Sequence, residues 1–267
     1  MARRPFCLDP RSPRGMSRIG FIGTGHIAAP MVRFLAARGH EIRVTRRSQA
    51  VSSALAADHG AIVADTQIVL DGSDIIFLCL RPHQINDVLP SLTFRADHKI
   101  VSVMAGIASD TLATLCAPAS DFVQTIPLGF LEIGGCPLAA FGNTTVLEAL
   151  FAPENPVVPV ASETALNAHF AICAMVPGLL DMMQTGANWL GDHTQDPAAA
   201  DFFTTQLVSG FLSAMDRDHG ALARERDALA TDGTISLQMT QTLRTQGAHD
   251  ALHSALNAIG KRLDPSS

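Results

Sequence analysis

The residues best suited to chemistry lie in a glycine-rich stretch near the start of the chain, Ile19-Gly20-Phe21-Ile22-Gly23-Thr24-Gly25-His26-Ile27-Ala28. A strand-like apolar run leads into Gly23-x-Gly25-x-x-Ala28, and a helix-like pattern follows directly. In such a unit the first glycine allows a tight turn, the second lets the backbone approach a pyrophosphate, and the small third residue lets the helix lie against the strand. The unpaired N–H groups that begin the helix then face the phosphates. The spacing therefore predicts a dinucleotide site in which Gly23, Thr24, Gly25, His26 and Ile27 surround the pyrophosphate, although an ordinary strand–turn–helix unit has the same local pattern.

Basic residues follow the second predicted strand, Glu41-Ile42-Arg43-Val44-Thr45. A protein that binds NAD usually has a carboxylate at this point, about 20 residues after the glycines, where it accepts a hydrogen bond from the ribose 2′-OH. This chain has Arg46, Arg47 and Ser48 instead. Guanidinium groups and a hydroxyl favour a 2′-phosphate through charge-assisted hydrogen bonds. We therefore predict that these residues bind NADP(H) rather than NAD(H); the alternative is a solvated basic turn.

Residues 73–80 form an apolar run without alternation, which is typical of a parallel strand buried on both faces. Ligands of open α/β sheets bind beyond the carboxyl ends of the strands, so Leu80, Arg81 and Pro82 are predicted to border the cofactor. The next predicted strand, residues 99–104, ends at Ala105-Gly106.

The alternation of strand and helix patterns predicts an α/β fold, with a doubly wound Rossmann domain over residues 16–160. Residues 161–267 contain hardly any strand signal, and they are predicted to form an all-helical domain. Its helices are expected at residues 162–176, 178–190, 197–216, 218–230, 234–246 and 249–262. The Arg- and Pro-rich residues 1–15 are predicted to be a flexible N-terminal extension.

Composition excludes several other classes of protein. The chain has 267 residues, is 47% apolar and carries a net charge of −6, which is typical of a globular protein and gives no reason to expect a nucleic-acid partner. No apolar run reaches the length of a membrane span, so no membrane partner is predicted. The scattered cysteines suit a reducing cytoplasm. No metal-ligand spacing is recognised, and no metal is predicted.

Hydride transfer fits this set of residues, because the cofactor supplies the reacting hydrogen and the protein mainly positions it. Reduction of a C=O bond would normally need a Lys, His or Tyr proton donor. The helical half has no tyrosine, and its only lysine is Lys261. This weakly favours a C=N acceptor, which as an iminium arrives already protonated.

The chain resembles the pyrroline-5-carboxylate reductase family from about Arg18 to Leu263. The resemblance rests on the glycine loop, Arg47-Ser48, residues 74–78 with Arg81-Pro82, and residues 102–107, which are similar to the family's Ala-Gly-Ile segment. It implies an NADPH-dependent enzyme of proline biosynthesis, with a Rossmann domain followed by a helical dimerisation domain. It also implies an interlocked homodimer built from the C-terminal helices, sometimes assembled further. In this interpretation Ala105 and Gly106 lie on the nicotinamide side.

The departures from the family fall where substrate is expected. The family's Pro-Gly-Gly-Thr-Thr loop, which binds the substrate carboxylate, corresponds here to Asp232-Gly233-Thr234-Ile235-Ser236. Thr234 and Ser236 are expected to contact substrate, whereas Asp232 would repel an anion. The expected reaction is hydride transfer from NADPH to the C=N bond of a small cyclic imine, either 1-pyrroline-5-carboxylate or a related substrate. The alternatives are a different NADP-dependent reductase, such as one similar to the deazaflavin-dependent NADP reductases, or an NADP-binding protein without catalytic activity.

Overall fold

The computed structural model describes residues 15–46 and 48–263. Arg47 and residues 1–14 of the predicted extension therefore lie outside the described residues. The chain divides into two compact units between His169 and Phe170. This division falls inside a helix that begins three residues after the predicted domain boundary at residue 160, and that boundary stays a prediction.

The first unit is built on one eight-stranded sheet with the order β3-β2-β1-β4-β5-β6-β7-β8. Every neighbouring pair is parallel except β6 and β7. With helices between successive strands, this confirms the predicted Rossmann-type α/β fold. The strands are β1 Arg18–Ile22, β2 Glu41–Thr45, β3 Ile62–Ala64, β4 Ile75–Leu78, β5 Lys99–Ser102, β6 Asp121–Thr125, β7 Leu138–Gly142 and β8 Val157–Pro159.

The order of the sheet creates a crevice between β1 and β4. The chain runs outward from β1 to β2 and β3, and then returns to place β4 on the other side of β1. At such a switch point the connections after the two strands diverge, which leaves a crevice at their carboxyl ends. The helices that connect the strands are α1 Ala28–Ala36, α2 Gln49–His59, α3 Thr66–Asp71, α4 Ile85–Val88, α5 Ser109–Leu115 and α6 Thr145–Phe151.

Aromatic packing holds the central strands and one helix layer together. Phe21 of β1 is in register with Phe77 of β4, and their rings stack with centroids 4.7 Å apart. Phe151 meets the ring of Phe77 edge-on at 6.2 Å and lies 5.6 Å from Phe34 of α1. Because each of these large side chains is almost completely buried, they contribute strongly to the core that supports the glycine loop.

All the regular secondary structure among the described residues of the second unit is helical, as the sequence predicted. Helix α8 begins three residues before its predicted start, and Pro177 falls in its first turn, where a missing N–H costs nothing. The helices are α7 Glu163–Cys173, which spans the division, α8 Met175–Thr194, α9 Pro197–Ala214, α10 Ala221–Leu229, α11 Ile235–Thr245 and α12 Ala248–Leu263.

Large apolar side chains of α8 and α9 are exposed in the single chain. Trp189, Phe202 and Phe203 are each more than half exposed. Residues 163–194, which cover α7 and α8, are also long and apolar enough to cross a membrane by length and composition, contrary to the expectation that no run reaches that length. Helices of soluble proteins pass the same test. An apolar surface of this kind is typical of a face that contacts another protein or a membrane.

Candidate dinucleotide site

Gly23 lies where another residue would not fit. Its φ is +96°, and an added Cβ would lie 2.5 Å from the carbonyl oxygen of Cys79, just beyond β4. Only glycine adopts this backbone conformation without strain while packing so closely against a neighbouring chain segment. Gly25 differs, because an added Cβ there would meet no atom within 4 Å. The first glycine therefore serves the fold of the loop, and the second leaves open space in front of the backbone.

The glycine loop is fixed to the end of β2 by two buried hydrogen bonds. The Gly23 N–H donates to Thr45 Oγ1 at 3.0 Å, and the Thr24 hydroxyl donates to the Thr45 carbonyl oxygen at 2.8 Å. Thr24 and Thr45 are both buried. Thr45 is the last residue of the predicted second strand, and that position is the only sequence signal that points to this role.

Helix α1 begins directly after the glycine loop. The Ala29 N–H donates to the Gly25 carbonyl oxygen at 3.0 Å, and no side chain among the described residues caps the helix at Ile27. The first turn carries no acidic residue. An uncapped, positively polarised helix end of this kind suits a phosphate.

Ile27 does not belong to the buried face of this helix, although its spacing from Met31 and Leu35 is helical. It stands at the N-cap position and is 49% exposed, beside the exposed His26. Both side chains border the loop where the sequence placed the pyrophosphate.

Two cavities flank the glycine loop. One, of about 370 Å³, lies at the carboxyl ends of β1 to β4 and is lined by Ile22, Gly23, Thr45, Arg46, Ala64, Asp65, Thr66, Leu80 and Val88. The other, of about 400 Å³, lies beside α1 and α2, with Gly25, His26 and Ala29 in its wall. The structure therefore brings the predicted Gly23, Arg46 and Leu80 around one space at the sheet edge.

Arg46, which begins the basic segment after β2, lines the first cavity. Arg46 is 68% exposed, and its Nε lies 3.4 Å from Oδ1 of Asp65, which directly follows β3. Ser48 is half-buried at the N-cap of α2, where its carbonyl oxygen accepts a hydrogen bond from Ser52 N–H. Its hydroxyl does not cap the helix. Asp65 was not anticipated, although a carboxylate directly after a parallel strand is the signal that would have pointed to it.

The segment after β4 turns outward. Leu80 is almost fully buried and closes the cavity, whereas Arg81 and Pro82 are exposed. The Arg81 N–H donates to Gln84 Oε1 at 3.2 Å, which stabilises a single 3₁₀ turn over Pro82–Gln84. This turn keeps Arg81 and Pro82 at the surface next to the buried Leu80.

A polar network holds the loop that contains Ala105 and Gly106. Buried Gln124 of β6 donates from Nε2 to the Ile107 carbonyl oxygen at 2.6 Å. Its Oε1 lies 3.1 Å from the Ser109 hydroxyl. Oε1 of Glu163 accepts from the Ser109 N–H at 2.5 Å and also contacts that hydroxyl.

The partners in this network lie up to 54 residues apart along the chain, and no local pattern indicates that they meet. The Ser109 hydroxyl has one proton for two acceptors, and the charged carboxylate forms the stronger bond. Gly106 adopts a φ of +69° inside the loop. The network therefore anchors Ile107 and Ser109, which directly follow Ala105 and Gly106 in this loop.

The crevice offers no activated thiol. Burial raises the pKa of the Cys79 thiol far above its ordinary value, so this sulfur stays protonated. Among residues 15–46 and 48–263, no group of three His, Cys, Asp or Glu side chains could hold a metal ion. The open backbone at Gly25, the uncapped start of α1 and the strand-end cavity fit binding of a dinucleotide.

The predicted substrate residues lie in the second unit, at the start of α11. The Thr234 hydroxyl caps this helix by accepting from the Leu237 N–H at 3.2 Å, and it donates its proton to the Thr231 carbonyl oxygen at 2.7 Å. Ser236 and Asp232 are exposed, and Ile235 is 86% exposed. The one proton of Thr234 is therefore already used inside the chain, whereas Ser236 Oγ has no hydrogen-bond partner among the described residues.

Comparisons with known proteins agree with this geometry. A protein-family model described as "NADP oxidoreductase coenzyme F420-dependent" matches residues 18–106, which contain the glycine loop and the strands around it. The pyrroline-5-carboxylate reductase of Corynebacterium melassecola is 30% identical in an alignment of 264 positions that covers 92% of this chain and 97% of that protein.

Two solved structures share the fold over nearly the whole chain. The 1-pyrroline-5-carboxylate reductase of Streptococcus pyogenes superimposes with a TM-score of 0.79 at 21% identity, covering 94% of this chain and 99% of that one. The pyrroline carboxylate reductase of Plasmodium falciparum, solved with NADP bound, gives a TM-score of 0.76 at 13% identity over the same shares of the two chains. Because the Corynebacterium melassecola relative is 30% identical and the match spans both proteins almost completely, this chain belongs to the pyrroline-5-carboxylate reductase family.

Proposed function

We propose that this protein is an NADPH-dependent reductase that transfers a hydride to the C=N bond of a small cyclic imine. One observation carries the proposal. The open backbone at Gly25 and the uncapped N-terminus of α1 lie beside a strand-end cavity whose mouth is bordered by Arg46. This combination suits a pyrophosphate next to a phosphorylated ribose.

The residues of this chain would bind and orient NADPH, which supplies the hydride when it is bound. The N–H groups that begin α1 would face the pyrophosphate, and Arg46, Arg47 and Ser48 would hold the 2′-phosphate. Leu80 would pack against the adenosine half, while Arg81 and Pro82 border it. Ala105 and Gly106, positioned by Gln124 and Glu163, would line the nicotinamide side.

The acceptor is best described as an imine. An iminium arrives protonated, so its reduction needs no strong protein acid, and the chain contains no tyrosine at all. The C. melassecola relative is a pyrroline-5-carboxylate reductase, which makes 1-pyrroline-5-carboxylate the first substrate to test. Two features weaken the case for an anionic substrate at the start of α11. Asp232 would repel a carboxylate there, and the Thr234 hydroxyl already donates its proton to the Thr231 carbonyl oxygen.

The test follows the absorbance of reduced nicotinamide in purified protein mixed with NADPH and either 1-pyrroline-5-carboxylate or the neutral 1-pyrroline. Oxidation with the carboxylate supports the narrow form of the proposal, and oxidation with 1-pyrroline alone supports a changed substrate. Binding of NADPH without turnover on either imine would refute imine reduction and favour an NADP-binding protein without catalytic activity.

The assignment of NADPH has its own test. Replacing Arg46 and Arg47 by Ala is expected to weaken NADPH binding much more than NADH binding, since only NADPH carries the 2′-phosphate. Arg226→Ala, on the surface of α10, is the matched control for loss of a guanidinium. Equal losses for the two cofactors would contradict the assignment.

A second candidate is favoured by the family model that matches residues 18–106. Its description points to hydride exchange between NADP and a deazaflavin. Incubation of the protein with NADP⁺ and a reduced deazaflavin distinguishes this reaction, because oxidation of the deazaflavin without any imine would support it over imine reduction.

We also propose that the protein is a homodimer formed through its C-terminal helices, and that it lies in the cytoplasm. The exposed Trp189, Phe202 and Phe203 support an interface on α8 and α9. Light scattering is expected to give the mass of a dimer, and Phe203→Glu to give a monomer. Recovery of the protein only in detergent-extracted membranes would contradict both the dimer face and the location.

A further inference from the structure

Arg46 and Asp65 are brought together by the register of two neighbouring strands. In the parallel pair β2–β3, Thr45 lies opposite Ala64, the last residues of the two strands. The residues that follow, Arg46 and Asp65, therefore emerge side by side at the same edge of the sheet. Their side chains form an ion pair, with 3.4 Å between Nε and Oδ1. Both also line the cavity of about 370 Å³ next to Gly23.

This carboxylate has two opposite effects on the two cofactors. A 2′-phosphate bound to Arg46 would be repelled by Asp65 and would have to compete with it for the guanidinium. A 2′-hydroxyl at the same place would gain an acceptor, which is the usual role of a carboxylate beside the ribose of NAD. The basic segment and Asp65 thus act in opposite directions on the choice of cofactor.

We propose that Asp65 is a specificity-determining residue that lowers the preference of this protein for NADPH over NADH. The inference rests on the proposed function, because it takes the dinucleotide to bind with its ribose beside Arg46. The ion pair is largely exposed, at 68% and 74% for the two side chains. Solvent-exposed pairs of this kind are weak, so the effect on a binding constant should be about fivefold rather than hundreds-fold.

The experiment measures binding directly by isothermal titration calorimetry, with 2′-phospho-ADP-ribose and ADP-ribose as probes. These probes lack nicotinamide, so the result does not depend on turnover or on the identity of the substrate. Asp65→Asn keeps the size and shape of the side chain and removes its charge. It should tighten 2′-phospho-ADP-ribose by about fivefold and leave ADP-ribose unchanged or weaker.

Asp65 is the N-cap residue of α3, and Asp71 is the last residue of that helix. Asp71→Asn is the matched control, because it also removes one negative charge from an exposed position. If Asp65→Asn leaves the ratio of the two affinities unchanged, or if Asp71→Asn changes it equally, the inference is overturned while the proposed cofactor stands. If the unmodified protein binds neither probe, the proposed cofactor fails, and the inference fails with it.

Discussion

The two glycines of the loop should respond oppositely to the same substitution. Gly23→Ala places a Cβ 2.5 Å from the Cys79 carbonyl oxygen at a φ of +96°. A positive φ costs a non-glycine residue about 1–2 kcal/mol, and relief of a backbone clash costs roughly 1–3 kcal/mol more. The expected loss in the free energy of unfolding is therefore about 3 kcal/mol, a large share of the 5–15 kcal/mol typical of a folded protein.

Gly25→Ala has neither cost. The added Cβ meets no atom within 4 Å. The free energy of unfolding should therefore stay unchanged or rise by up to about 1 kcal/mol, because alanine restricts the unfolded chain. Affinity for NADPH should fall at least about tenfold, since the new methyl group occupies the space that the pyrophosphate needs.

The assay for this pair is urea unfolding of the cofactor-free proteins, followed by circular dichroism. Tryptophan fluorescence is unsuitable, because the single tryptophan, Trp189, lies in the second unit. NADPH binding is then measured by calorimetry for each folded variant. Equal destabilisation by the two substitutions, or unchanged NADPH affinity in Gly25→Ala, would refute the assignment of one glycine to the fold and the other to the ligand.

Three further predictions concern side chains in or next to the strands of the sheet: Thr45 at the end of β2, Gln124 in β6 and His98 just before β5. Thr45→Val leaves the buried Gly23 N–H without its acceptor, and urea titrations should show the free energy of unfolding lowered by about 1–3 kcal/mol. Thr45→Ser keeps the hydroxyl and should lower that free energy by less. Gln124→Leu removes the donor to the Ile107 carbonyl oxygen and should reduce kcat. The affinity for 2′-phospho-ADP-ribose should stay unchanged, because that probe lacks nicotinamide. A parallel loss of kcat and of this affinity would contradict a local role of Gln124. Burial lowers the pKa of His98, so the unfolded chain binds a proton at higher pH than the folded chain does. The free energy of unfolding should therefore fall as the pH drops below about 6.5, by up to about 1.4 kcal/mol per pH unit. His98→Asn should flatten that slope in unfolding titrations from pH 7 downward, and an unchanged slope would exclude His98 as its source.

Most of the fold could be predicted because its signals are local. The second strand has the bounds that the sequence indicated, Glu41–Thr45, and the predicted apolar run before Gly23 is strand β1. A glycine, a proline or a change of apolar period determines the backbone conformation within a few residues, whatever lies elsewhere in the chain. The helical character of the second unit followed from the same kind of evidence.

Local patterns along the chain do not specify the environment of a residue. Ile27 has a helical spacing from the buried Met31 and Leu35, but it lies at the N-cap and is exposed, because the helix begins one residue later. The antiparallel pairing of β6 with β7 was not foreseen either. Strand direction depends on the route of the connecting segment, and an apolar run of a few residues carries no information about that route.

The sequence by itself determined the glycine loop, the basic segment that follows the second strand and the family, because these depend on residue types at short spacings. The tertiary structure alone decided which side chains lie against the glycine loop, the basic segment and the loop that contains Ala105 and Gly106. It placed Asp65 against Arg46, Thr45 beneath Gly23, and Glu163 against Ser109. Such pairs arise from strand order and register, in which residues distant along the chain come into contact, and the spacing of residues along the chain does not specify those contacts.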